Sequence, residues 1–232
     1  MNTSIAQQDP TTVPLDARPL PRRLGRAAAA GLGVFAAAVV IGGALNAGYS
    51  HRSDAMSSLA AHDASAPFVM TIGFAGLAVA LLAAGSALRS TLRGKAALVG
   101  SGLVMFAGIA SVVVGSARLD CSPLTSAACV ASEKAGTVSG GHVIHNLVSL
   151  ALFLALVIGL FVLAAGLRRN PSAAYLSWPT RIAALASLVL MVWFGSGAYG
   201  DNGGLVQRAL VLVAVGWPVY LANRLSRRDS LT

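Results

Sequence analysis

Six apolar stretches, each about long enough to cross a bilayer and each free of charge at its centre, constrain this chain more than anything else in it. They run Ala27 to Tyr49, Pro67 to Leu88, Ala96 to Ala117, His142 to Leu167, Arg181 to Tyr199 and Leu205 to Asn223. A hydrocarbon core is ~30 Å thick and a helix rises ~1.5 Å per residue, so ~20 apolar residues make one crossing. Helices are expected rather than strands, because lipid offers the backbone no hydrogen-bond partners and a long continuous run satisfies itself only as helix. Composition agrees: 11% of residues are charged, against ~25% in soluble domains. The expected fold is all-α and polytopic, a six-transmembrane-helix bundle over residues 27–223. A polar, proline-bearing tail over 1–26 is expected to be disordered, and 224–232 to form a basic tail.

Charge sets the expected orientation. Arg52, Arg118, Lys134 and Arg208 lie on one set of alternate connections. All other basic residues, from Arg18, Arg22, Arg23 and Arg26 through Arg89, Arg93, Lys95, Arg168, Arg169 and Arg181 to Arg224, Arg227 and Arg228, lie on the other. The richer side is cytoplasmic by the positive-inside rule, which puts both termini in the cytoplasm. The net charge of +9 is spent on these short clusters, so nucleic acid is not an expected partner and membrane lipid is. The first run has the flanking arginines of a signal peptide but is longer than the ~7–15-residue core of one, so a retained span is expected; cleavage would leave five.

Small residues at Ala27–Gly31, Gly73–Gly76 and Gly195-Ser196-Gly197 are expected at helix contacts, where they let backbones approach. Pro218 is expected to kink the last span. Tyr175, Trp178, Trp217 and Tyr220 fall where an aromatic belt would lie, and Trp193, deeper in its run, is expected to pack. Cys121 and Cys129 share the connection placed outside, where disulfides persist, and a disulfide between them is expected over a metal pair.

No ionisable residue lies mid-run, which counts against an ion-driven transporter. The polar groups gather at the outer ends: all four histidines, His51, His62, His142 and His145, with Asp54, Asp63, Asp120, Glu133 and Asp201. His142, His145, Asn146 and Ser149 fall at i, i+3, i+4 and i+7, a single helical face that should turn from lipid into the bundle. Asn46, Ser50, Ser53 and Asp54 offer a second stripe at the end of the first run. Together His51, Asp54, His142, His145, Asn146 and Ser149 make a candidate outward polar pocket. Three readings stay open: hydrogen bonding and helix capping, which is favoured; a zinc held by His51, Asp54, His142 and His145; and histidine pH sensing. Arg208 is expected to snorkel toward headgroups or pair with Asp201.

The segments Tyr49-Ser50-His51-Arg52-Ser53-Asp54, Ala66-Pro67-Phe68-Val69-Met70-Thr71-Ile72-Gly73 and Gly140-Gly141-His142-Val143-Ile144-His145-Asn146 give the chain a resemblance to the bacterial membrane family called domain of unknown function 998. The resemblance covers most of residues 27–223. It implies the architecture but no chemistry, and an aspartate is expected in many relatives where Asn146 stands. The leading functional expectation is a multi-pass protein whose outward pocket engages lipid or an envelope component. The alternatives are a membrane-embedded metal-dependent hydrolase using His142, His145 and His51 with Asp54, and a sensor or accessory subunit with an unidentified protein partner.

Overall fold

The computed structural model describes residues 19–228. Seven α-helices and no strand occur among them: α1 (Pro19–Leu45), α2 (Pro67–Thr91), α3 (Lys95–Ser116), the short α4 (Ala127–Ala135), α5 (Gly140–Arg168), α6 (Ser177–Ser196) and α7 (Gly203–Arg228). Six of them are long and apolar enough to cross a membrane. The shortest, α6, has 20 residues and so spans ~30 Å, one hydrocarbon thickness. The chain is a multi-pass membrane protein by this measure.

The six long helices pack as a ring in the order α1, α2, α3, α5, α6, α7, closed by α7 against α1, with α2 also touching α7 across the middle. Close approach of α1 and α2 rests on glycine. A Cβ on Gly31 would sit 2.5 Å from the Gly76 carbonyl oxygen and 2.7 Å from the Ala80 nitrogen, so no larger residue fits without parting the backbones. Gly73 meets the Ala38 methyl in the same interface. The third small-residue cluster behaves differently. Gly195 has open space around it, and Gly197 ends α6 at φ 71°, a left-handed C-cap that glycine adopts without strain.

Alternate connections gather at the two ends. At the arginine end, the Arg93 N–H donates to Asn170 Oδ1 (3.1 Å), and Asn170 Nδ2 returns a bond to the Arg93 carbonyl. Gly25 lies beside Asn223 and Ser226 there. At the opposite, histidine end, the His62 N–H donates to the Leu119 carbonyl and the Leu205 N–H to the Arg52 carbonyl. All three connections at this end are therefore laced together.

Some boundaries differ from expectation. Helix α1 begins at Pro19, so residues 19–26 are helical where a disordered tail was expected; 1–18 lie outside the described residues, as do 229–232. The same helix stops at Leu45 rather than Tyr49, because Asn46 turns its side chain back to the Gly42 carbonyl (2.7 Å) and Gly48 takes φ 79°. The stripe Asn46, Ser50, Ser53 and Asp54 is consequently a loop and not a helical face. Helix α7 runs through Pro218 as one element. Trp178 and Tyr220 are exposed on the bundle, while Trp217 ties α7 to α6 by donating to the Thr180 hydroxyl (3.0 Å). Trp193 is not packed inside; it is half exposed and donates to the Ala198 carbonyl past the end of α6.

Candidate functional site

Ser139 begins α5 by accepting the His142 N–H, and its own N–H and hydroxyl both donate to the Asp120 carboxylate. These bonds to the charged form hold the Asp120 carboxyl below its ordinary value. Asp120 in turn donates its N–H to His142 Nδ1 (3.1 Å), so that nitrogen carries a lone pair and the proton sits on Nε2, which donates to Glu133 Oε1 at 2.8 Å. Glu133, one turn from the end of α4, also accepts from Asn146 Nδ2 (2.9 Å). The Cys121–Cys129 disulfide, with Cα atoms 5.8 Å apart, closes the loop that leads into α4. His142, Asn146 and the 117–139 connection thus form one braced unit.

His145 does something else. Its Nδ1 lies 2.8 Å from the Ala117 carbonyl and 3.1 Å from that of Val114. Both partners only accept, so Nδ1 bears the hydrogen and caps the carbonyl end of α3. Its ring meets the edge of Phe74 at 6.1 Å. In this tautomer Nε2 is left as an acceptor.

His51 belongs to a separate cluster centred on Arg208. From α7, Arg208 Nη1 donates to the carbonyls of Asp54 (3.0 Å) and Gly204 (2.9 Å), and Nη2 to the Tyr49 hydroxyl and His51 Nδ1 (3.0 Å). Its guanidinium also lies over the Tyr49 ring. Arg208 therefore neither pairs with Asp201 nor reaches outward, because the first connection supplies a full set of acceptors. Asp54 accepts the Ser50 N–H and the Thr125 hydroxyl.

The four residues expected to hold zinc are not brought together in this geometry. His51 and Asp54 serve the Arg208 cluster, both nitrogens of His142 are engaged, and His145 faces α3. Among the described residues no group of three or more His, Cys, Asp or Glu side chains is arranged to hold a metal ion. Of the six candidate pocket residues, three do converge: His145, Asn146 and Ser149 line a cavity of about 330 Å³ at the histidine end.

That cavity is apolar where a polar pocket was expected. Phe35, Met70, Phe74, Leu77, Phe153, Met191 and Leu210 build most of its wall, from five of the long helices. Gln207 is its other polar residue from a helix; it is nine-tenths buried and its Oε1 accepts the Met56 N–H at 2.7 Å, pinning the first connection over the chamber. The chamber lies beside the thinly packed outer half of α6. Every buried side chain of α6 lies between Ser177 and Ser187, and Gly195, near its end, is an exposed residue of the chamber wall. Helices α5 and α7 barely touch across the gap. Pro123 and Leu124, from the disulfide loop, cover the end.

Sequence reasoning missed Gln207, the true partners of Arg208, and the way Glu133 joins His142 to Asn146. The adjacent Gln207-Arg208 pair inside an apolar run was the available signal for the first two. No curated protein and no solved structure matches the chain. The family model described as protein of unknown function (DUF998) matches residues 29–224, which takes in all six long helices apart from the start of α1 and the end of α7. The chain belongs to the DUF998 family.

Proposed function

We propose that this protein resides in the bacterial plasma membrane with both termini in the cytoplasm, and holds one amphipathic, lipid-like molecule in a chamber at the outer end of the bundle. The observation that carries this is the apolar cavity of about 330 Å³ with His145, Asn146, Ser149 and Gln207 in its wall. Ligand sites of this size are mostly apolar with a few placed polar groups that fix orientation. An acyl or isoprenoid chain suits the phenylalanine, methionine and leucine wall, and a polar linkage suits the donors and acceptors. The outer half of α6 buries few of its side chains, so a lipid could enter beside it from the outer leaflet without crossing water. The arginine-rich connections support the orientation.

The test is lipid retention by the purified chain in mild detergent, read by native mass spectrometry. Wild type is expected to carry a bound amphiphile. Gly195→Phe fills the chamber wall from a position where an added Cβ meets nothing within 4 Å, so it should fold normally and lose that amphiphile. Equal retention by a Gly195→Phe variant of unchanged melting temperature would refute the proposal.

A further inference from the structure

The chamber has a neighbour. Beyond Pro123 and Leu124, which line both spaces, lies a more polar cleft of about 600 Å³ whose wall includes Arg52, Ser53, Thr125 and Asp201. Pro123 and Leu124 thus form a partition that a single molecule can straddle, with its apolar part on one side and its head on the other.

Two charges of opposite sign line this cleft without pairing. Arg52 commits Nε to Asn202 Oδ1 (2.9 Å), and among the described residues no ion pair joins Arg52 to Asp201. Both residues are exposed. Arg52 is held in place from its backbone, since its N–H donates to the Ser50 hydroxyl and its carbonyl accepts the Leu205 N–H. Its terminal guanidinium nitrogens are left for an anion. Asp201, in a turn just before α7, is left for a cation. A cation anchored through its backbone and an anion on one cleft match a headgroup that carries both signs, and guanidinium is the side chain best shaped for phosphate.

Resting on the lipid chamber proposed above, we infer that the ligand is a zwitterionic phospholipid bearing a primary amine, with its phosphate at Arg52, its ammonium at Asp201 and one acyl chain in the apolar chamber. Ser53 and Thr125 add hydroxyls to the same cleft. The disulfide that braces the partition sets the spacing of the two compartments.

The full-length chain in detergent is given an equimolar mixture of phosphatidylethanolamine and phosphatidylglycerol with identical acyl chains, and retention is read by native mass spectrometry. Wild type should retain the amine lipid about tenfold better, the worth of one charge-assisted bond. Asp201→Asn should bring the two lipids to parity while leaving phosphatidylglycerol unchanged, and Arg52→Gln should weaken both. Equal retention by wild type, or a preference that survives Asp201→Asn, overturns the inference. If Gly195→Phe releases both lipids while wild type shows no preference, the chamber stands and the headgroup assignment alone fails. If Gly195→Phe keeps both, the chamber fails and the two-compartment ligand with it. Soluble phosphoethanolamine should not displace the lipid at equal concentration; displacement means that the head alone is the ligand, which also overturns the inference.

Discussion

Replacing Arg208 with methionine removes the centre of the first connection while keeping much of the side chain's apolar bulk. Three hydrogen bonds to that connection are lost: to the Asp54 carbonyl and His51 Nδ1, each at 3.0 Å, and to the Tyr49 hydroxyl. Bonds to a charged group are worth ~1.5–3 kcal/mol each when sheltered. This site is only half-buried, so about 1 kcal/mol apiece is the appropriate figure, or ~3 kcal/mol together. The loss is local, since Arg208 ties residues 49–54 to α7 without forming part of the apolar core. Backbone hydrogen exchange in residues 49–56 should therefore quicken by about a hundredfold, a factor of ten per ~1.4 kcal/mol. Arg208→Lys should fall between, because a point charge cannot span acceptors that a planar fork reaches together. Unchanged exchange across 49–56 in Arg208→Met would refute the assignment of Arg208 as the clasp of this connection.

Further perturbations probe the rest of the histidine end. Changing both Cys121 and Cys129 to serine opens a loop of sequence separation 8, for which loop-closure entropy gives ~2.5 kcal/mol; exchange should rise across 121–135 and the chamber should retain less lipid. Asp120 is held below its ordinary value by Ser139. A carboxylate depressed in the folded state contributes stability that is present above its unfolded value and lost as pH falls through the folded one. Protection across 117–139, exchange measured against the free-chain rate at the same pH, should accordingly hold down to about pH 4 and fall only below it, whereas Asp120→Asn should show the loosened state already at neutral pH. Orientation can be read with single cysteines, because both native cysteines are joined in the disulfide. In intact cells a membrane-impermeant maleimide should label Lys134→Cys and spare Arg169→Cys, and the reverse pattern would invert the topology.

The architecture was legible in the sequence because lipid enforces it: length, absence of central charge and alternation of arginine are each read directly from the residues. The disulfide was legible for a similar reason, since two cysteines on one short connection have few alternatives. The site was only half legible. Helical spacing correctly grouped His145, Asn146 and Ser149, but it could not tell that His142, on the same face, turns to Asp120 and Glu133. Those contacts depend on how the 117–139 connection folds back, which is set by the α3–α5 packing and the Ser139 cap rather than by periodicity. Spacing also carried the first helix too far, placing Ser50, Ser53 and Asp54 on an imagined face when Asn46 and Gly48 had already ended it. The chamber left no mark at all in the pattern of single residues. It is walled by residues of several helices, a relation between helices that no one of them encodes.

A density map of the chain in lipid nanodiscs bears most directly on the lipid chamber. Elongated density should lie between α5 and α7, flanked by Phe74, Phe153 and Met191, and continue past Leu124 toward Arg52. A space closed by α6 swinging onto α5, or filled only by ordered water, would contradict it.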